Sequence, residues 1–205
     1  MSSVHVIIEV NSPLAFLPLG ETSVCATAVK RAQESKSAPS ISIFVAPEIR
    51  DQWNRLDAKL KPLVDVESAS TLFDAVSKLS TTYVLIHESL RPLTLPKTFD
   101  EVVNALQSGA EAARPAHAVV DTLKTVTDDF VVSSTINRDL MQSLTSPEGY
   151  VRERIIGTDD VWHFQVQNPE KRHFVRGDQE SIKIRQKEDV VLVESFLAWQ
   201  TITKN

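Results

Sequence analysis

Apolar and polar residues alternate in blocks along the first half of the chain. Short apolar runs rich in β-branched residues predict buried strands over residues 4–10, 41–46, 62–66 and 83–87. Between these runs, apolar residues recur at helical spacing over residues 22–35, 47–60 and 68–79. Strands that alternate with helices favour right-handed crossovers and a mainly parallel sheet. The pattern therefore predicts an α/β fold.

The second half continues the alternation. It predicts two further helices, over residues 98–109 and 187–201, and two further strands, over residues 116–121 and 181–185. We therefore expect the sheet to extend into the C-terminal half of the chain.

One stretch interrupts this alternation. Residues 125–136 are β-branched and polar, with a turn at Asp128 and Asp129, which favours a projecting hairpin or arm over about residues 122–136. No repeat or clear linker divides the chain. We therefore expect one domain over residues 1–205 that carries a protruding arm.

The composition narrows the class of protein. Of the 205 residues, 42% are hydrophobic and 24% are charged, which is typical of a globular protein. The net charge of -5 and the lack of a basic block argue against binding of nucleic acid. The single cysteine, Cys25, excludes an internal disulfide and CxxC motifs. No apolar run approaches the roughly 20 residues of a membrane span, and the apolar start lacks a signal peptide's basic region, so we expect a cytoplasmic protein without membrane contact.

Polar residues occur at the ends of several predicted strands. In the stretch TTYVLIHESLRPLT, the apolar run stops at His87 and Glu88. Asp121 closes the run AHAVVD, and Lys183 lies in the predicted late strand. Ligands of open parallel sheets bind beyond the carboxyl ends of the strands. These side chains indicate either a ligand site at one edge of the sheet or ordinary capping of the elements that follow.

Five motifs occur in a characteristic order between about residues 82 and 199. They are IHESLRP, VVDTLKTV, TINRDLMQSLTSPEGY, IGTDD and RGDQESIKIRQKEDVVLVESFL. In this order, the motifs resemble the 2-C-methyl-D-erythritol 4-phosphate cytidylyltransferase family. Its members typically read His-Asp-Ala-Ala-Arg-Pro, Asp-Thr-Leu/Met-Lys, Arg…Thr-Pro-Gln-Gly-Phe, Thr-Asp-Glu and Asn-Ile-Lys-Val-Thr-Pro-Glu-Asp.

The resemblance implies a three-layer, Rossmann-like nucleotidyltransferase fold with a dimerisation arm. Members of the family join the cytidylyl group of CTP to a sugar-alcohol phosphate and release pyrophosphate, in the pathway to isoprenoid precursors. Such transfer needs cations and fixed donors around developing negative charge, and a divalent metal that bridges phosphates. The resemblance therefore implies Mg²⁺ as cofactor, a small phosphorylated ligand and a homodimer.

Eight positions match functional residues of the family. These positions are Glu88, Arg91, Asp121, Thr122, Arg138, Ser146, Thr158 and Lys183. The resemblance implies that Lys183 and Arg138 are catalytic and that Glu88, where the family has Asp, is the metal ligand. It implies substrate contacts for the remaining five, with Thr122 and Arg138 in the arm that reaches the partner's site.

The segment after the first predicted strand departs from the family pattern. Members of the family have a Gly-rich loop there, Ala-Ala-Gly-x-Gly-x-Arg-Met, whose N–H groups and basic side chains hold the CTP triphosphate. In this chain the segment has no Gly before Gly20 and no Lys or Arg before Lys30, and Pro13 and Pro18 lack N–H donors. Phosphate-binding loops need several convergent N–H groups. We therefore expect CTP binding to be weakened or lost.

Two further positions depart from the family. The segment Gly-Gly-x-x-Arg-x-x-Ser-Val, which contacts the cytidine side, reads VESASTLFDAV at residues 66–76, without the Gly pair and the Arg. Arg185 stands where the family usually has Thr. The nucleotide half of the site is therefore altered more than the acceptor half.

Some polar residues outside these motifs have ordinary interpretations. His163 and His173 do not have the spacing of a metal motif, and we interpret them as surface residues. Asp159 and Asp160 either ligate a cation or cap a helix that begins near Val161.

Three functions remain compatible with the sequence. The chain is an active cytidylyltransferase with an unusual nucleotide loop, a non-catalytic relative that acts as a dimeric binding or interaction protein, or an enzyme of the same fold with another nucleotide donor. The first loop favours the non-catalytic relative. The retained Arg91, Asp121, Arg138 and Lys183 argue against complete loss of ligand binding.

Overall fold

A mixed eight-stranded sheet forms the centre of the computed structural model, which describes residues 3–37 and 39–203. The strands are, in chain order, β1 (Val4–Val10), β2 (Pro18–Leu19), β3 (Thr22–Ser23), β4 (Ser40–Val45), β5 (Asp65–Val66), β6 (Tyr83–Glu88), β7 (Ala112–Ala118), β8 (Lys124–Val126), β9 (Val132–Thr135), β10 (Gln142–Leu144), β11 (Glu148–Val151), β12 (Ile155–Thr158), β13 (Phe164–Val166) and β14 (Arg172–Arg176). The helices are α1 (Val24–Gln33), α2 (Arg50–Arg55), α3 (Leu72–Ser77), α4 (Pro96–Gln107) and α5 (Asp189–Thr203).

The strand order of the main sheet is β10-β7-β11-β6-β1-β4-β5, and β14 also pairs with β7. The pairs β1–β4, β1–β6, β4–β5 and β7–β14 are parallel, whereas β11 runs antiparallel to β6 and β7, and β10 runs antiparallel to β7. The predicted α/β fold with a mainly parallel central sheet is therefore confirmed.

Two sequence-predicted strands are wrong in position. Residues 181–185 form no strand; Ile184 is fully buried and its N–H donates to the Leu90 carbonyl (2.8 Å), so the alternating pattern reflects burial without a ladder. The last strand of the sheet is instead β14. Its sequence, RHFVR, is too polar to be recognised as a strand from hydrophobic periodicity. The strand predicted to end at Asp121 ends at Ala118, because its partners β10 and β14 extend no further along it.

Some predicted helices are shorter than the periodicity suggests. The segment 47–60 contains only the six-residue α2, flanked by 3₁₀ turns at Pro47–Ile49 and Ala58–Leu60. The backbone becomes extended at Leu56 (ψ 141°), which ends α2. α3 begins only at Leu72, because the Thr71 side chain accepts a hydrogen bond from the Asp74 N–H and caps it.

The alternation of side chains along β1 assigns the two faces of the sheet. Val6, Ile8 and Val10 belong to the core cluster that includes α1 and α4, whereas Ile7 belongs to the cluster on the opposite face, which includes α3 and Trp162. Successive side chains of a strand point to opposite faces. Glu9 therefore lies on the face of Ile7.

The parallel ladder between β1 and β6 brings two acidic residues side by side. Glu9 is in register with Glu88, and Ile8 is in register with His87. Both glutamates lie at the carboxyl ends of their strands, on the same face of the sheet. This edge is the location at which a parallel sheet most often binds its ligand.

The segment between β7 and β10 forms a separate exposed hairpin. Among the described residues, β8 and β9 pair only with each other, and Phe130 at the turn is 88% exposed with a positive φ of 60°. Several of its apolar side chains are also exposed: Val126, Val131 and Val132. Within the described residues, no helix is long and apolar enough to cross a membrane.

Candidate functional site

Three cations surround the carboxylate of Glu88 at the end of β6. Lys183 Nζ lies 2.6 Å and Arg91 Nε 3.4 Å from Oε2, and Arg114 Nη2 lies 3.9 Å from Oε1. Burial opposes ionisation of Glu88, but Arg91, Lys183 and Arg114 outweigh it and bring the pKa of this carboxyl below its usual value. Glu88 is therefore a charged acid whose partners are already in place.

Backbone carbonyls fix the two arginines. Arg91 donates from Nη1 to the Ser181 carbonyl (2.5 Å), and Arg114 donates from Nε to the Thr145 carbonyl (2.9 Å). Both guanidinium groups are mostly buried, whereas the Lys183 side chain is 44% exposed. Lys183 is thus the most solvent-exposed of the three cations.

The loop that carries Lys183 is tied to the N-terminal end of α4. Asp178 accepts hydrogen bonds from the Thr98 hydroxyl (2.7 Å) and the Leu95 N–H (3.3 Å), and the hydroxyls of Ser181 and Thr94 lie 2.7 Å apart. These contacts hold residues 178–184 against the sheet, so Lys183 reaches Glu88 even though this segment is not a strand.

A second buried carboxylate, Glu148, extends the ion-pair network. Its Oε1 pairs with Arg114 Nη1, and its Oε2 accepts hydrogen bonds from the Tyr150 hydroxyl (2.6 Å) and from the His163 backbone N–H (2.9 Å). The Glu148 side chain is only 2% exposed. Arg114 thereby links the two acids Glu88 and Glu148 across the end of the sheet.

His163 joins Glu148 to Glu9 at the end of β1. Its Nδ1 lies 2.7 Å from Glu148 Oε2, and its Nε2 lies 3.3 Å from Glu9 Oε2. Burial disfavours the charged ring, but the two carboxylates outweigh it and raise the pKa of His163 to about 10. His163 is therefore an imidazolium at neutral pH, and it donates from both ring nitrogens.

The other face of the end of β6 is neutral. His87 is fully buried, with Nδ1 2.8 Å from the Ser146 hydroxyl and its ring edge-on to Phe99. Burial lowers the pKa of His87 to about 3, so the ring is uncharged. Ser146 also accepts a hydrogen bond from the Glu88 N–H (3.0 Å). The histidine therefore packs in the core, and Ser146 positions the strand end.

The segment after β1 turns inward and has no charged side chain before Glu21. Pro13–Phe16 form a 3₁₀ turn capped by the Ser12 side chain, and Ala15 and Phe16 are buried in the core beside Trp53. The Leu14 and Ala15 N–H groups donate to the side chain and carbonyl of Ser12, and the Leu17 N–H donates to the Leu14 carbonyl. The N–H of Val24, the first residue of α1, donates to the Leu17 carbonyl. These N–H groups are therefore already hydrogen-bonded within the chain.

The structure separates the eight family-matched positions into two groups. Glu88, Arg91, Ser146 and Lys183 meet at the end of β6. Asp121, Thr122, Arg138 and Thr158 are exposed on other segments. Arg138 donates from Nη1 to the Val120 carbonyl of its own chain, at the base of the hairpin.

The residues present do not fit a resident Mg²⁺. A magnesium site needs carboxylate or carbonyl oxygens in a compact shell, with few competing cations. Glu88 has three cationic groups within 4 Å of its oxygens instead. Within residues 3–37 and 39–203, no group of three or more His, Cys, Asp and Glu side chains is arranged to hold a metal ion.

Sequence reasoning missed four residues of this network: Glu9, Arg114, Glu148 and His163. The interpretation of His163 as a surface residue is wrong, because its side chain is only 25% exposed and bridges two acids. Two signals could have found the network. An arginine lies within the buried run AARPAHA, and Glu148 stands where the family motif has Gln.

Asp159 also has a structural role, but it starts no helix. Its Oδ1 accepts from the N–H groups of Val161 (2.9 Å) and Trp162 (3.2 Å), and its Oδ2 pairs with Arg172 (2.8 Å). Residues 161–163 form a bend, so the predicted helix near Val161 is wrong. The aspartate stabilises the turn between β12 and β13 that carries His163.

Comparison with known proteins agrees with the motif order. The family model for 2-C-methyl-D-erythritol 4-phosphate cytidylyltransferase matches residues 7–199. The protein of that name from Nocardia farcinica is 28% identical over 204 residues, which are 91% of this chain and 86% of that protein. A bifunctional IspD/IspF enzyme from Oleidesulfovibrio alaskensis is 30% identical over 124 residues, which are 55% of this chain and 31% of that longer protein.

Solved structures show the same fold. The crystal structure of 4-diphosphocytidyl-2C-methyl-D-erythritol synthase from Anaerococcus prevotii superposes with a TM-score of 0.74 at 21% identity, and the match covers 96% of each chain. Together with the family match over residues 7–199, this establishes that the chain belongs to the 2-C-methyl-D-erythritol 4-phosphate cytidylyltransferase family.

Proposed function

We propose that this chain is a divergent cytidylyltransferase relative in which CTP binding, and with it nucleotidyl transfer, is weakened or lost. The cations beyond β6 still bind a small phosphorylated ligand, the acceptor side of the family reaction. Lys183 and Arg91 contact its phosphate, and the exposed Asp121, Thr122 and Thr158 remain candidates for contacts with the rest of the substrate.

The loop after β1 is the observation that carries this proposal. Its apolar side chains fill the core, and its N–H groups donate to Ser12, Leu14 and Leu17 of the same loop. The Gly20 N–H, further along the same segment, faces the Glu194 carboxylate at 3.4 Å. A triphosphate placed here would have to break these hydrogen bonds and would meet a negative charge.

The free energy of the missing phosphate contacts is large enough to determine whether CTP binds. Each absent charge-assisted hydrogen bond to phosphate is worth about 1.5–3 kcal/mol. Loss of two or three weakens binding by on the order of a thousandfold. Mg²⁺ enters this proposal only as the ion that accompanies CTP, because the Glu88 carboxylate is already occupied by cations.

A pyrophosphate-release assay tests the proposal. The chain is mixed with CTP, Mg²⁺ and 2-C-methyl-D-erythritol 4-phosphate, beside the Nocardia farcinica relative under the same conditions. We expect release from the relative and none above background from this chain. Turnover by this chain at a rate comparable with that of the relative would overturn the proposal.

A second candidate function is that of a homodimeric interaction protein. The exposed hairpin β8–β9 carries apolar residues at its turn, and Phe130 occupies the left-handed region at φ 60°, which is uncommon for a bulky residue. An arm about residues 122–136 that packs on a second copy buries this surface and brings Arg138 near the acceptor pocket of the other copy. Sedimentation that shows a monomer at micromolar concentration would remove this candidate.

A further inference from the structure

The Glu88 carboxylate lies where an anion would bind. Lys183 Nζ, Arg91 Nε and Arg114 Nη2 lie 2.6, 3.4 and 3.9 Å from its oxygens. Arg114 also pairs with Glu148. Three cationic side chains and two carboxylates are therefore in direct contact here.

The cationic side chains of this cluster are held in orientations that allow them to bind an external anion. The two arginines are held by the Ser181 and Thr145 carbonyls, so their orientation does not depend on Glu88. Planar guanidinium groups and an ammonium are the side chains that proteins use to bind phosphate. Lys183 is partly exposed and gives a ligand access from solvent.

The length of the Glu88 side chain matters for this arrangement. The family has Asp at this position, whose carboxylate lies one methylene closer to the backbone. The longer glutamate carries its charge outward, while the Glu88 N–H is fixed by the Ser146 hydroxyl at 3.0 Å. A side-chain carboxylate tethered among three cations competes with a free anion through its high local concentration.

We propose that Glu88 is a built-in competitor for phosphate at the Lys183, Arg91 and Arg114 cluster. It sets the affinity and the selectivity of the site: a phosphate monoester dianion displaces the carboxylate, whereas a monoanion does not. The inference rests on the proposed function in that the natural ligand is phosphorylated. It adds the residue that determines which anions the site accepts.

Calorimetric titration with inorganic phosphate, and then with 2-C-methyl-D-erythritol 4-phosphate, tests this role. The full chain is compared with Glu88→Gln, which removes the charge and keeps the shape, and with Glu88→Asp, which shortens the reach. We expect Glu88→Gln to bind both probes at least about tenfold more tightly. We also expect Glu88→Gln to bind chloride well enough that chloride salts weaken its phosphate binding. The phosphate affinity of Glu88→Asp should lie between those of the wild type and Glu88→Gln.

Glu153→Gln is the matched control. Glu153 is 81% exposed and pairs only loosely with Arg152 (3.7 Å), so its loss changes the net charge equally without touching the cluster. Phosphate affinities of both Glu88 variants equal to those of the wild type and of this control would overturn the inference. If the Glu88→Gln variant does not fold, the phosphate affinity of Glu88→Asp, compared with that of the wild type, tests the inference. Tight CTP binding by the wild type would overturn the proposed function instead, and would leave this comparison standing.

Discussion

Two loops leave neighbouring parallel strands at the same edge of the sheet, and they have opposite character. The loop after β1 packs Ala15 and Phe16 into the core and uses its N–H groups internally. The loop after β6 and its surroundings bring Glu88, Arg91 and Lys183 together. The strand ends are adjacent, since Glu9 is in register with Glu88. Two neighbouring positions at one sheet edge therefore differ in polarity because of the residues that follow each strand.

Arg114→Met should have the largest effect on the charged side. Arg114 is the common partner of Glu88 and Glu148, and its loss leaves two mostly buried carboxylates without that cation. Breaking a buried pair from one side costs about 3–5 kcal/mol of unfolding free energy. Urea denaturation measures this loss of unfolding free energy. Lys187→Met, which removes an exposed pair with Glu188, should cost less than about 1 kcal/mol.

Phe16→Ala should have the next largest effect, on the apolar side. Phe16 is buried in the core with its ring 5.9 Å from that of Trp53. Truncation of a buried phenylalanine costs about 3 kcal/mol or more. Leu63→Ala is the control, because Leu63 is almost fully exposed. Equal stability of the two variants would show that the loop after β1 is not part of the core.

These two regions also differ in how far the sequence predicts them. The apolar segment PLAFL and its lack of glycine indicate a loop unsuited to phosphate, and the motif order identifies Glu88, Arg91 and Lys183. Arg114 and His163 were not, because ion pairs between residues far apart in sequence leave no periodic pattern. The network depends on tertiary distances, which hydrophobic spacing does not report.

The strands show the same limit. β1 and β6 are continuous apolar runs, and their predicted bounds agree with the structure to within one residue. β14 is polar because it lies at the edge of the sheet, paired only with β7 in the described part of the chain. The run SIKIR has strand periodicity, but Ile184 is buried without a ladder. Hydrophobic periodicity indicates which side chains are buried. It identifies a strand only where a neighbouring strand is present to pair with it.

The charged network should make stability depend on pH. The pKa of His163 is raised from 6.5 to about 10, so its contribution is fully present below about pH 6.5 and is lost as the pH rises through 10. The pKa of Glu148 is lowered despite its burial, so its contribution is lost as the pH falls below the usual carboxyl range. His163→Gln should flatten the decline in unfolding free energy between about pH 6.5 and about pH 10. An unchanged slope in urea titrations of this variant would contradict the ion-pair assignment.

Phe130→Gly should have the smallest effect on monomer stability and a clear effect on assembly. Glycine adopts φ 60° without strain, and Phe130 makes little contact with its own chain, so the unfolding free energy should change by less than about 1 kcal/mol. The dimer proposed above should weaken, which sedimentation equilibrium measures. Phe130→Asn, which also tolerates this conformation, is a second variant; identical association of all three proteins would exclude the turn from the interface.

The central claim is that the nucleotide side of this sheet edge has been lost while the phosphate-binding side remains. Calorimetric titration of the wild type with CTP and Mg²⁺, beside 2-C-methyl-D-erythritol 4-phosphate alone, tests it most directly. We predict no measurable heat of binding for CTP at concentrations that saturate the Nocardia farcinica relative, and saturable binding of the acceptor phosphate that Lys183→Met abolishes. Micromolar affinity for CTP would contradict the account, because it would mean that the loop after β1 opens to hold a triphosphate.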